Sequence, residues 1–151
     1  MVNLDFSVLD KQWNKSLPDF KQTISNAANH IFNELIQFKD KSYEISFLMV
    51  NNDYIKELNV NYRSEDSATN VLSFPMIDSN SLQHENILGD VVISIDKILS
   101  ESNEQKIEVN EYLAKISIHG ILHLLGYDHI SDNDYVVMNQ LEEKIIKKIK
   151  C

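Results

Sequence analysis

Cysteine, glycine and arginine are nearly missing from this chain. Its one cysteine, Cys151, cannot close an intrachain disulfide within 151 residues, so the fold must rest on packing. Nothing here calls for an oxidising compartment, and a cytoplasmic setting is expected. Glycine occurs only at Gly89, Gly120 and Gly126, arginine only at Arg63, and proline only at Pro18 and Pro75. No uninterrupted apolar run reaches the roughly 20 residues that cross a bilayer, so a membrane is not an expected partner. Met1 to Asp10 carries acidic residues and no basic start, which does not suit a secretory signal. Positive charge is also short: Lys and Arg total 14 against 23 Asp and Glu, a net charge of −9. That balance argues against loose, charge-driven binding to nucleic acid or anionic membranes, and leaves room only for a local basic site.

What remains is ordinary for one globular domain. Hydrophobic residues make up 43% and charged residues 25%, over a length that can bury a substantial core. A single domain over residues 1–151 is expected. Val2 to Val8 alternates like a strand. Pro18 suits the first turn of a helix, and Phe20, Ile24, Ala27, Ile31 and Leu35 recur at helical spacing. Tyr43–Val50 reads as a strand, followed by a short helix capped by Asn51 or Asn52 and ending near Tyr62 and Arg63. Thr69–Phe74 reads as a strand stopped by Pro75, which suits a strand end or an edge. Leu88–Ile95 is apolar on both faces at its centre, as in an interior strand. Helices follow over Asp96–Ser102 and Val109–Leu125. The last helix opens on a Ser131–Asp134 capping box and carries a stripe of Val137, Met138, Leu141, Ile145 and Ile149. The order predicts an α+β fold: a small mixed four-stranded sheet with about five helices. The closing lysines, Lys144, Lys147, Lys148 and Lys150, suit helix-dipole complementarity and solubility.

Three of the five histidines fall within His119 to His129, H-G-I-L-H-L-L-G-Y-D-H. Four helical residues turn the chain by about 400° and raise it about 6 Å, so His119 and His123 share one face. Gly126 stands where a helix stops in a left-handed turn, after which the chain can bring His129 back toward the pair. Three neutral imidazoles on a helix and its following turn can hold a divalent metal with a fourth position open. The flanking residues are apolar, Ile116, Ile118, Ile121, Leu122, Leu124 and Leu125, and a metal would offset the cost of burying imidazoles among them.

The spacing H-x-x-x-H-x-x-G-x-x-H is that of three-histidine zinc peptidases, with one departure. Where those enzymes keep a glutamate base after the first histidine, this chain has Gly120. A peptidase would need its base from elsewhere, Asp128 or Asp90. The whole string resembles instead the signature of the YbeY family, bacterial metal-dependent endoribonucleases. Leu58–Pro75 resembles that family's arginine loop and edge strand, and Leu88–Ser94 its following strand. The resemblance implies a zincin-like fold, one zinc ion per chain on His119, His123 and His129, and a functional arginine at Arg63. It also implies cutting of single-stranded RNA, maturation of the 3′ end of small-subunit rRNA, and work beside small-subunit proteins in ribosome quality control.

The residue types agree with phosphodiester chemistry. A metal on three neutral ligands keeps its full charge and can polarise a phosphoryl oxygen. A guanidinium can bind phosphate with two parallel donors, although an arginine at a helix end can also pair with Glu65 or Asp66. Water activated by the metal, or the RNA's own 2′-hydroxyl, can be the nucleophile. Asp128 can orient a ligand imidazole, shuttle a proton, or simply shape the turn. Asn70 and Asp90 are strand-end polar groups near the site, Tyr127 suits packing, and Thr69 and Ser73 suit ordinary strand roles. His30 and His84 read as solvated bystanders. Two other functions fit part of the pattern: a metallopeptidase, and a zinc-stabilised assembly factor of the small ribosomal subunit without catalysis.

Overall fold

The computed structural model describes residues 2–39, 41–63, 67–76, 86–127 and 131–150, and only the backbone of Arg63. The elements in chain order are β1 (Val2–Val8), α1 (Gln12–Ser16), α2 (Phe20–Glu34), a single 3-10 turn (Ile36–Phe38), β2 (Tyr43–Val50), α3 (Asn52–Arg63), β3 (Val71–Pro75), β4 (Ile87–Ser94), α4 (Ile95–Gln105), α5 (Val109–Leu124) and α6 (Asp132–Lys150). The sheet order is β1-β2-β4-β3. β1, β2 and β4 run parallel, and β3 returns antiparallel along β4 as an edge strand. This is the expected α+β arrangement with a mixed four-stranded sheet, and β4 is interior.

The period-2 pattern of the central strands sorts their side chains onto two unequal faces. Val91 and Ile93 of β4 join Ile45, Phe47 and Met49 of β2 in the main core, beneath α2, α4, α5 and α6. Val92 and Val50 point the other way and meet Leu72 of β3 and Ile55 of α3 in a smaller cluster. Among the described helices, α3 packs on this second face. Its start is fixed as expected: the Asn51 carboxamide oxygen accepts from the Tyr54 backbone N–H at 2.9 Å. Pro75 closes β3 opposite Gly89, at an edge where a missing N–H costs little. At that level β2 and β4 slip register between Glu44 and Ile45.

Several boundaries differ from the sequence reading, each for a physical reason. α1 was not expected. It holds one buried side chain, Trp13, whose indole N–H donates to the Val50 carbonyl at 3.0 Å. Pro18 therefore lies in the turn between α1 and α2, and α2 begins at Phe20. α4 runs on to Gln105 and ends with Lys106 in a left-handed conformation. Val137 is exposed, because the buried face of α6 runs through Met138 and Ile145.

The closing lysines do more than complement a dipole. Lys144 and Lys148 both grip Glu34 at the end of α2, joining the two helices. Hydrogen bonds from Lys144 and then Lys148 hold the Glu34 carboxyl down to about 2, from an ordinary 4.5. A carboxylate lowered in the folded state contributes stability above its unfolded value and loses it as pH falls toward the folded one. The stability gap between the wild type and Glu34→Gln is therefore expected to be constant above about pH 5 and to close between pH 4.5 and about 2. Urea denaturation across that pH series measures it, and a gap that persists at pH 2 would contradict the linkage.

Candidate metal centre

α5 is the element that presents His119 and His123, and its burial fixes where they point. Glu108 caps it by accepting from the Glu111 backbone N–H at 2.9 Å. Tyr112, Leu113, Ile116, Ile118, Ile121 and Leu122 are all buried, so the helix cannot rotate without opening the core. The far end closes as the sequence implies. Gly126 takes φ +100, its N–H reaches the His123 carbonyl, and the Tyr127 N–H reaches the Leu122 carbonyl. That pair of bonds is the Schellman stop, which a residue with a Cβ would strain.

His119 and His123 come together one turn apart. Their rings meet edge to face at 4.6 Å between centroids, and their Nε2 atoms lie 3.1 Å apart. Behind them stands Glu142 of α6, whose carboxylate oxygen is 2.6 Å from His119 Nδ1. A carboxylate only accepts, so Nδ1 carries the proton and the Nε2 lone pair of His119 faces His123. Glu142 is 12% exposed and His119 29%, so the anchor is covered while the imidazole stays reachable.

This arrangement fits a tetrahedral metal. With metal–nitrogen bonds of 2.0–2.1 Å, two ligand nitrogens should stand roughly 3.3–3.4 Å apart. The observed 3.1 Å needs only a small opening of the pair. Among the described residues no cluster of three or more His, Cys, Asp or Glu forms a complete site. The third expected ligand, His129, and its neighbour Asp128 lie outside the described residues, as does His84.

Gly120, between the two histidines, turns its α-carbon onto the sheet. A Cβ there would lie 2.9 Å from Val91 Cγ1 and 3.0 Å from Val71 Cγ2, and the Ser73 hydroxyl donates to the Gly120 carbonyl at 2.8 Å. The position that holds a base in peptidases has no room for a side chain in this chain. Ser73 is thus a strand residue that ties β3 to α5.

The remaining candidates separate. Arg63 is the last residue of α3, on the second face of the sheet, and its side chain lies outside what is described. Asp90 projects to that same face, away from the imidazole pair. Asn70 is not part of the pair either: its amide donates to Glu101 at 3.0 Å, where the Tyr112 hydroxyl also donates at 2.6 Å. Burial and that carboxylate raise the Tyr112 hydroxyl to about 12. Tyr127 packs against the main core, and Thr69 is half-buried. His30 bonds its own helix, with Nδ1 at 2.8 Å from the Asn26 carbonyl.

Glu142 is the residue that sequence reasoning missed. A signal was present: Met138, Glu142, Ile145 and Ile149 follow one another at spacings of four, three and four. A carboxylate on an otherwise apolar stripe is costly to bury unless it has a partner.

A parallel sheet with an antiparallel edge, packed against a core helix that carries the paired imidazoles, defines a small α+β domain. Over residues 8–150 the chain matches the family model for endoribonuclease YbeY. The endoribonuclease YbeY of Syntrophomonas wolfei is 39% identical over 142 residues, covering 87% of this chain and 88% of that one. That of Neorickettsia sennetsu is 34% identical over 146 residues, covering 97% and 96%. The solution structure of a Thermotoga maritima protein superposes with a TM-score of 0.60 at 23% identity, covering 99% of this chain and 89% of that one, and supports the fold. The chain belongs to the YbeY endoribonuclease family.

Proposed function

We propose that this chain is a zinc-dependent endoribonuclease that cuts single-stranded RNA. Its site of action would be the 3′ end of small-subunit rRNA in the cytoplasm, beside small-subunit proteins and within ribosome quality control. One observation carries the metal-dependent part: the two Nε2 atoms converge at 3.1 Å while Glu142 holds the far nitrogen of His119. The choice of zinc follows from the neutral imidazole donors and the spacing to His129, which would complete the set. RNA as substrate follows from the family, and the ribosomal role from the sequence resemblance.

When bound, the ion would supply positive charge that polarises a phosphoryl oxygen and makes water more acidic. The chain's residues do the remainder. His119 and His123 offer lone pairs from a helix that the core immobilises. Glu142 accepts the Nδ1 proton of His119 and fixes its tautomer. The family resemblance, rather than the described geometry, assigns Arg63 to the phosphate and to the charge that develops on it. Gly120 leaves no carboxylate beside the metal, and this counts against a peptidase. A chain this acidic would bind RNA through a few directed groups rather than through a basic surface, so the salt dependence of cleavage should be shallow.

The protein stripped by a chelator is expected to leave an unstructured RNA intact, to cut it once zinc is restored, and to leave unstructured peptides uncut. Cutting that survives chelation, or peptide cleavage in place of RNA cleavage, would refute the proposal. Glu142→Ala is expected to weaken zinc binding by roughly 10- to 100-fold, with Glu142→Gln losing less because it still accepts from Nδ1. Competition against a chromophoric chelator measures both variants.

A further inference from the structure

The sheet face opposite the histidines holds a second concavity, of about 280 Å³. Tyr54, Tyr62 and Phe74 wall it, with Leu48 and Val92 beneath. Tyr62 and Phe74 meet edge to face at 5.5 Å, and Tyr62 remains 69% exposed. Among the described residues one charged group, Asp90, shares this apolar lining. No hydrogen bond or ion pair reaches its carboxylate among the described residues, and desolvation alone raises its pKa. Aromatic walls around an unpartnered acceptor suit a flat ring with N–H donors in its plane.

The charge of Asp90 selects among such rings. A carboxylate repels phosphate and the paired carbonyls that flank the N–H of uracil. It can accept two parallel bonds from neighbouring donors. Guanine offers N1–H and its 2-amino group side by side, whereas adenine and cytosine offer an amino group next to a bare ring nitrogen.

We propose that this pocket seats one guanine base of a single-stranded RNA, its N1–H and 2-amino group donating to Asp90 and its ring lying against Tyr62 and Phe74. The inference rests on the RNA reading above and adds a base preference to it. Phe74 belongs to the edge strand whose Ser73 faces α5, so one RNA strand crossing β3 can engage both faces.

The test is an NMR titration of the full chain, with labelled aromatic rings, by guanosine, adenosine and uridine in turn. Guanosine should shift the Tyr54, Tyr62 and Phe74 signals and bind at least tenfold more tightly than the other two. Asp90→Asn should remove that preference, and Tyr62→Ala, at an exposed position, should weaken all three nucleosides. Equal binding of the three, shifts confined to α5, or an unchanged preference in Asp90→Asn would overturn the proposal. So would tighter binding of N-acetylarginine amide than of guanosine. Binding is read without cleavage, so the two readings fail separately. A chain that prefers guanosine but cuts no RNA would keep the pocket and lose the nuclease. One that cuts RNA but binds the nucleosides alike would do the reverse.

Discussion

A Gly120→Glu variant is expected to lose roughly 4 kcal/mol or more of folding stability and to gain no peptidase activity. The first methylene alone would overlap Val91 and Val71, and forced overpacking costs about 1–3 kcal/mol. The carboxylate would then enter the apolar interface between α5 and the sheet, a further cost of several kcal/mol unless it is paired. The residue that distinguishes this histidine frame from a peptidase is therefore also the one that lets α5 lie flat on β3 and β4. Urea denaturation measures the loss. A variant as stable as the wild type would mean that α5 does not pack as described, and peptide hydrolysis by it would remove the argument against a peptidase base.

The second large effect separates metal from phosphate. His123→Ala is expected to abolish both zinc retention and RNA cutting. Arg63→Ala is expected to keep zinc and fold but cut RNA at least a thousandfold more slowly, the loss of a single charge-stabilising donor being worth on the order of 10²–10³ and an arginine clamp more. Metal content of the purified variants and cleavage of an unstructured RNA give the two readouts. Native-rate cutting by Arg63→Ala would remove the role proposed for it. Zinc loss that unfolds the chain, with no variant separating activity from folding, would favour the assembly factor without catalysis.

These expectations also mark what could be read from the sequence. The histidine pair was legible because i, i+4 spacing survives any context, and Gly126 was legible because a helix stop needs its backbone freedom. The strands were legible from alternation in β1, from β-favouring or apolar composition in β2 and β4, and from the proline stop of β3. α1 was not, because Q-W-N-K-S has one apolar residue, and its helix depends on Trp13 finding the Val50 carbonyl 37 positions later. Val137 was misjudged because the buried stripe of α6 is narrow and runs through Met138 and Ile145, and periodicity over one turn does not choose which of several neighbouring apolar residues lies on it. Glu142 was hidden because a glutamate on a helix ordinarily faces water. Gly120 was legible as a missing base, and only the packing of α5 on β3 and β4 adds why a base could not be there. The aromatic pocket was invisible for a different reason: its walls come from α3, β2, β3 and β4, and no local pattern joins them.

Trp13, buried beside Phe20 with its indole tied to the end of β2, has an optical consequence. It is the chain's single tryptophan and belongs to neither the imidazole pair nor the aromatic pocket. Its fluorescence should be blue-shifted in the native protein and move to the red only when the N-terminal layer leaves the sheet. Each variant above thus carries its own internal gauge: an emission maximum that stays put certifies that a lost activity is a lost site and not a lost fold.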